Sequence, residues 1–352
     1  MFDVITFGSA TRDIFVRSKD LKIIENPEFL TGKCLAVEAG SKVHIDELIF
    51  ASGGGGSNSA ATFALQNLKT AYLGLIGDDA GGREIVKELE GLGVNTNLIK
   101  VTSKAKTPYS IILSAPGQPA RNALALAASP DSAGGLAGEA GGERSILVYE
   151  GASHLLSSKD ISWEEIKESK WFYIAGLSGE SSKVFKPLVE FAAQNKIKIA
   201  VNPSRDQITK DLENLQSLLN KIDVFIVNQE EASLVTGVDY KNEQELFKKF
   251  DELVSGIAVM SKGPQGVAVS DGEKIYTAGI PESGYVDRTG SGDAFGSGFV
   301  ATIIEGGSIE QAIQFGTANA TSTIQSIGAK TGLLPKGEWG EWKKVEVTKI
   351  NL

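Results

Sequence analysis

Residues 287–298 read DRTGSGDAFGSG, with Gly290, Ser291 and Gly292 leading into Asp293 and with Phe295, Phe299 and Ile303 following at helical spacing. The pattern predicts a tight turn that opens a helix. The first N–H groups of a helix have no internal partners, and the aligned peptide dipoles add partial positive charge there. Such a turn is a ready anion site. An aspartate set into it competes with the anion for that charge. Its presence is explained if Asp293 takes a proton from a hydroxyl that attacks a phosphoryl group.

Other residues along the chain suit the same chemistry. The cluster GGGGSN at 53–58 precedes a helical pattern. Ser57 or Asn58 can simply cap that helix; alternatively, bare backbone approaches a ligand and the Asn58 amide donates to and accepts from its hydroxyls. Asp13 follows the run 4–7 and its Gly8-Ser9 end. It either closes a turn or accepts from two adjacent sugar hydroxyls. Asn202 in VNPS (201–204) and Asn228 in VNQEE (227–231) end apolar runs. The N-x-x-E spacing of Asn228 and Glu231 is that of a capping box. It also places Glu231 on a first helical turn, within reach of the waters of a phosphate-bound Mg²⁺. SKGPQG at 261–266 offers Lys262, Gly263 and Gly266 either as a turn under a nucleotide or as a plain hairpin turn.

These groups need a frame that brings strand ends together. Apolar runs at 4–7, 71–76, 171–175, 197–201, 224–227 and 257–260 read as strands, and stretches at 57–68, 82–92, 182–194, 243–254, 292–304 and 309–326 as helices. KIKIAVN and DVFIVN suit strands covered on both faces. Alternating strand and helix implies right-handed crossovers and a parallel sheet, with ligands beyond the carboxyl ends of its strands. Two regions break the alternation. Residues 34–51 read as two strands around a Gly-Ser turn and, with 14–16 and 109–113, as a small separate sheet that shuts water out of a site. Residues 115–142, rich in Ala and Gly, interrupt a hairpin whose flanks are YSIILS and ERSILVY. The insertion reads as a connecting loop, with a short helix at 121–128, or as a lid extension or subunit contact.

Composition narrows the class. Of 352 residues, 41% are hydrophobic and 22% charged, as in globular proteins. The net charge of -9 argues against a nucleic-acid or anionic-membrane partner. One cysteine, Cys34, allows no internal disulfide and suits a reducing cytosol. His44 and His154 have no metal-like neighbours at short spacing. No run reaches the roughly 18 apolar residues of a membrane span, and MFDVITFGSA reads as a first strand, not a signal. A cytoplasmic location is expected.

In order along the chain, Asp13 after GSATR, GGGGSN, VNPS, N-x-x-E at 228–231, SKGPQG and DRTGSGD resemble the ribokinase-like family, also called the PfkB carbohydrate kinases. The resemblance implies one three-layer, Rossmann-like α/β domain over 1–352, with a parallel sheet. Its β-sheet lid has strands within 12–18, 34–52, 108–114 and 145–150. It implies ATP, Mg²⁺ and, in some members, K⁺ as cofactors. By resemblance Asp293 is the general base, and Gly290, Ser291 and Gly292 form the hole for the transferring phosphoryl group. Asn228 and Glu231 organise Mg²⁺ and phosphates. Ser261, Gly263, Gly266 and Asn319 line the nucleotide. Asp13, Gly54, Gly55 and Asn58 hold the sugar, and Asp287 with nearby carbonyls takes K⁺. The chain departs from the family pattern in three places. Gly55 stands where ribokinases proper carry lysine, Arg288 replaces the commoner threonine, and Gly151-Ala152-Ser153 replaces G-A-N. These departures leave the kinase chemistry intact and the particular sugar open.

The expected activity is ATP-dependent phosphorylation of a hydroxyl, taken as primary, on a sugar or sugar-like substrate. A nucleoside kinase is the alternative. A sugar-phosphate kinase comes third, with Arg12 and Arg17 available to a substrate phosphate. A binding regulator without catalysis is the reading from another class, and the presence of both Asp293 and Glu231 weighs against it. The exposed edges expected of the lid suggest a homodimer through it.

Overall fold

The apolar run Val4–Phe7 is wholly buried and lies inside a sheet, paired in parallel with Trp171–Ile174 on one side and Thr70–Leu73 on the other. In this computed structural model, which describes residues 1–29, 31–115 and 144–351, the sheet has nine strands among the described residues. Lys198–Val201, Val224–Asn228 and Ile257–Ser261 continue it in parallel. Val267–Ser270, Lys274–Ala278 and Thr348–Asn351 extend it as antiparallel strands. The parallel expectation therefore holds for the body of the sheet and gives way at one edge, where short turns join Ile257–Ser261, Val267–Ser270 and Lys274–Ala278, and Thr348–Asn351 returns after two helices.

Alternate residues of each strand feed two cores. Phe172, Ile174, Phe225 and Val227 pack on one face with Leu188 and Phe247 of the helices Phe185–Gln194 and Glu243–Leu253. Tyr173, Val224 and Ile226 pack on the other with Phe63, Phe299 and Ile313 of Gly55–Leu65, Ser291–Ile304 and Ile309–Thr323. This is the three-layer arrangement, and it explains why the parallel strands are apolar on both faces.

Four strands, Arg144–Tyr149, Tyr109–Ser114, Thr11–Arg17 and Glu47–Gly53, form a separate sheet in that order. Cross-strand neighbours share a face. Asp13, Ala51 and Ser110 are one such row, and Ile14, Phe50 and Ile111 the next. Asp13 is buried while Phe50 is 59% exposed, so the first row faces the body and the second faces out.

Two expectations are corrected. Residues 34–51 do hold two strands, but they join different sheets. Lys33–Ala36 pairs with Lys22–Glu25 in its own hairpin, and only Glu47–Gly53 joins the lid. Between them Gly40 has φ +81° and the Ser41 N–H donates to the Glu38 carbonyl, so the chain turns without pairing the two strands. The run 71–76 breaks at Gly74, where the Tyr72 hydroxyl stands 2.0 Å from the position of an added Cβ. Thr70–Leu73 stays in the main sheet, and Leu75–Gly77 pairs with Lys100–Thr102. Beyond Ala115, the insertion expected at 115–142, with its helix at 121–128, lies outside the described residues. Among the described residues no helix is long and apolar enough to cross a membrane.

Candidate active site

The helix Ser291–Ile304 is capped by Gly290 at φ +81°, and a Cβ on Gly290 would fall 2.4 Å from Cβ of Ala329. Glycine is required here both for the left-handed backbone and for the close approach. The Ser291 N–H is already used, donating to the Arg288 carbonyl at 3.2 Å. The Gly292 and Asp293 N–H groups donate to no acceptor among the described residues. The N–H donors of the turn without an acceptor among the described residues are thus those of Gly292 and Asp293.

Asp293 sits in that first turn, partly exposed. Its Oδ2 accepts from Nδ2 of Asn58 at 2.8 Å. Burial raises the Asp293 pKa, and the Asn58 hydrogen bond and the Lys330 charge oppose that rise. Asn58 is therefore placed against Asp293, and its Oδ1 is buried without a hydrogen-bond partner. Gly54 caps the helix Gly55–Leu65 at φ +93°, and a Cβ on Gly55 would lie 3.4 Å from Asp293 Oδ1. The glycine cluster thus flanks Asp293 with bare backbone. Asp13 faces the same region from the lid strand, 4% exposed, with Oδ1 accepting from the Thr11 hydroxyl at 3.0 Å. Burial raises its pKa as well, against the Thr11 bond and the charge of Lys330.

On the other side of the turn a cavity of about 300 Å³ is lined by Ser261, Gly263 and Gly266, by Arg288, and by Ser291 and Gly292. The SKGPQG turn and the anion turn therefore share one cleft. Arg288 lies 4.4 Å over the ring of Tyr285, another lining residue. Lys262 is held by Glu243 at 3.1 Å. Asn228 pairs in register with Ser261, one strand away. Asn228 and Glu231 form a reciprocal capping box with both bonds at 2.9 Å. The box uses only Oε2 of Glu231, and burial raises the pKa of this carboxyl.

Asn319 does not line the cleft. It is fully buried, its Nδ2 donating to the Ala294 carbonyl at 2.8 Å and its Oδ1 accepting from the Leu334 N–H at 2.9 Å. The helix presents Thr317, Ala320 and Thr321 to the cavity instead. Asp287 is buried at the start of the turn, where its Oδ1 accepts from the Thr289 backbone and hydroxyl at 3.1 and 2.8 Å. Among the described residues no three His, Cys, Asp or Glu side chains gather as a metal site. His154 is held at both ring nitrogens, by Ser178 at 2.7 Å and Glu150 at 3.1 Å.

Lys330 escaped the motif reading. It is 8% exposed, and its ammonium donates to the Ser52 carbonyl at 3.0 Å and hydroxyl at 2.8 Å. The available signal was a lone charge in the run SIGAKTGLL. It matched none of the motifs considered.

A helix N-terminus carrying Asp293, an adjoining cleft at the carboxyl ends of parallel strands, and a separate four-stranded β-sheet together make the architecture of a ribokinase-fold kinase. The chain belongs to the pfkB family of carbohydrate kinases, whose family profile matches residues 22–133 and 128–336. It is a carbohydrate kinase. A ribokinase from Haemophilus influenzae is 28% identical over 298 residues, covering 82% of this chain and 86% of that protein. Adenosine kinase 2 of Arabidopsis thaliana is 25% identical over 351 residues, covering 92% of each. The solved structure of Arabidopsis thaliana ribokinase complexed with ribose and ATP superposes with TM-score 0.71 at 21% identity, covering 95% of this chain and 96% of that one.

Proposed function

We propose that this kinase transfers the terminal phosphoryl group of ATP to a primary hydroxyl of a sugar. The observation that carries the reading is Asp293, set at a helix terminus with unfilled N–H donors, hydrogen-bonded to Asn58, and bordering the cleft of Ser261, Gly263 and Gly266. The sugar lies between Asp13 and Asp293, with Gly54 and Gly55 as its backbone floor. Asp13 accepts from its hydroxyls, and the buried Oδ1 of Asn58 is a further acceptor. Asp293 removes the proton of the attacking hydroxyl, and Gly290, Ser291 and Gly292 shape the turn around the phosphoryl group. Phosphoryl transfer asks mainly for positioning and charge stabilisation, which this arrangement offers. The family relationship and the ATP complex of a ribokinase of like fold support the choice of donor.

Mg²⁺ would neutralise charge on the transferring phosphates. The chain provides Glu231, whose Oε1 is outside the capping box, and Asn228 beside it. Glu231 would hold the ion through its water shell. Asp287 and the carbonyls of its turn are the hard oxygen donors that fit K⁺.

A second reading, a nucleoside kinase, has its own observation. Beyond Asp13 the inward lid face continues with Phe15, Ile49 and Ile112, which with Val286 and Ile327 line a cavity of about 60 Å³. An apolar wall there suits a base better than a bare pentose, and an adenosine kinase is among the relatives. Arg17, in the same wall, is paired with Glu47 at 2.8 Å, which weakens the case for a substrate phosphate.

The outward row of Ile14, Phe50, Ile111 and Leu147 suggests a homodimer through the lid, since Phe50 and Leu147 are 59% and 55% exposed. A monomeric mass by light scattering would reject that pairing. One coupled ATP-consumption assay tests the main reading, run over pentoses, hexoses, sugar phosphates and nucleosides, with and without Mg²⁺ and K⁺. Turnover of a sugar supports it, turnover confined to nucleosides selects the second reading, and no turnover of any acceptor sinks both.

A further inference from the structure

Lys330 is a buried lysine held by a serine. Its two hydrogen bonds go to Ser52 alone, and no ion pair within 4.0 Å holds it among the described residues. Ser52 is itself 2% exposed, and its hydroxyl donates to Glu88 on the helix Ala80–Gly91. Burying an ammonium without a contacting carboxylate is costly. Such a group persists where neighbouring charges share the cation.

Those neighbours come from each element packed around it. Glu88 lies behind Ser52, Asp13 and Arg12 come from the lid strand Thr11–Arg17, and Asp293 comes from the helix Ser291–Ile304. Ser52 faces Arg12 across the sheet, and Ala51 faces Asp13. The adjacent Ala329 packs on Gly290, and a Cβ on Gly328 would lie 3.1 Å from Cβ of Ala51. The segment 328–330 therefore touches both the turn before the base and the last lid strand, with its ammonium among three carboxylates.

We propose that Lys330 is a positioning residue, held by its bonds to Ser52, that ties the last strand of the small sheet to the turn before Asp293 and sets a positive charge beside Asp13 and Asp293. This rests on the reading of Asp293 as base. Lys330 is the cation that opposes the burial of Asp293, and it acts likewise on Asp13. Burial in turn lowers the Lys330 pKa to about 8, against the pull of Glu88, Asp13 and Asp293. The charge is then present at neutral pH and lost as pH rises past about 8.

The test is the pH profile of kcat/KM for the intact enzyme and Lys330→Gln, Lys330→Arg and Glu88→Gln. Lys330→Gln should move the acid limb to higher pH, with a roughly tenfold greater loss at about pH 5.5 than at neutral pH. Lys330→Arg should restore the acid limb and remove the alkaline fall. Glu88→Gln should move the alkaline fall to lower pH, and it keeps the proposal testable if Lys330→Gln does not fold. A residue that only supports the fold would lower kcat and stability and leave both limbs in place; that result overturns the proposal. The carboxyl ¹³C titration of Asp293 in the substrate-free protein reads the same shift without turnover. If the enzyme phosphorylates nothing, the functional reading fails while this titration still decides the role of Lys330.

Discussion

The side-chain amide of Asn58 donates to Oδ2 of Asp293 at 2.8 Å, joining residues 235 positions apart. A hydrogen bond to the charged form favours it, so this contact favours the ionised carboxylate of Asp293. It also fixes the rotamer of Asp293 at the mouth of the anion turn.

Replacing Asp293 by Asn keeps the shape and removes the basicity. Turnover should fall by roughly 10²–10⁴-fold, while ATP affinity by titration calorimetry changes little. Near-normal turnover would reject Asp293 as the base.

Asn58→Ala removes the donor that lowers the Asp293 pKa. The folded pKa then rises further, so the acid limb of kcat/KM should move to higher pH, with roughly tenfold lower activity at mildly acidic pH. An unmoved acid limb would show that the amide serves packing alone.

Gly290→Ala puts a side chain on a left-handed residue that already touches Ala329. The backbone conformation alone costs roughly 1–2 kcal/mol, and the clash displaces the segment 328–330. Urea denaturation should show the loss, and kcat should fall more than the KM for the acceptor.

Asn319→Ala separates a structural role from a binding role. The substitution leaves the Ala294 carbonyl and the Leu334 N–H without their partner, at a cost of roughly 1–3 kcal/mol. The melting temperature should drop while the KM for ATP stays nearly constant. A selective rise in that KM would place Asn319 at the nucleotide after all.

The edge strand Thr348–Asn351 contacts the helix Ile309–Thr323 through Lys349 and Glu310. The Lys349 hydrogen bond lowers the Glu310 pKa from 4.5 to about 2. A carboxyl with a depressed folded pKa contributes stability above its unfolded value and loses it as pH falls through the folded one. Hydrogen-exchange protection of 348–351 should therefore weaken between about pH 4.5 and pH 2, and Glu310→Gln should weaken it already at neutral pH. Equal protection in both proteins would show that the backbone ladder with Lys274–Ala278 suffices.

Much of the frame was legible because each parallel strand is an apolar run ended by a turn residue, and the helices after them show a repeating apolar face. What was misread depends on tertiary choice. Residues 34–51 contain two strand-like runs, and nothing local says that Lys33–Ala36 pairs backward with Lys22–Glu25 while Glu47–Gly53 pairs with Thr11–Arg17. The turn at Gly290 and the helix after it were legible because a glycine run precedes an apolar pattern at helical spacing. Asn319 was carried over by family resemblance to the nucleotide, and its amide is consumed by the backbone of Ala294 and Leu334. Lys330 has no motif, because its meaning comes from Ser52, Glu88, Asp13 and Asp293 meeting around it.

The packing of Ala329 on Gly290 has a consequence for biosynthesis. Asp13 and Asn58 leave the ribosome early, Asp293 much later, and the residue that seats its turn later still. A growing chain therefore holds the first of these side chains long before the turn that carries Asp293 has its packing partner, and that turn is complete only when synthesis is nearly finished.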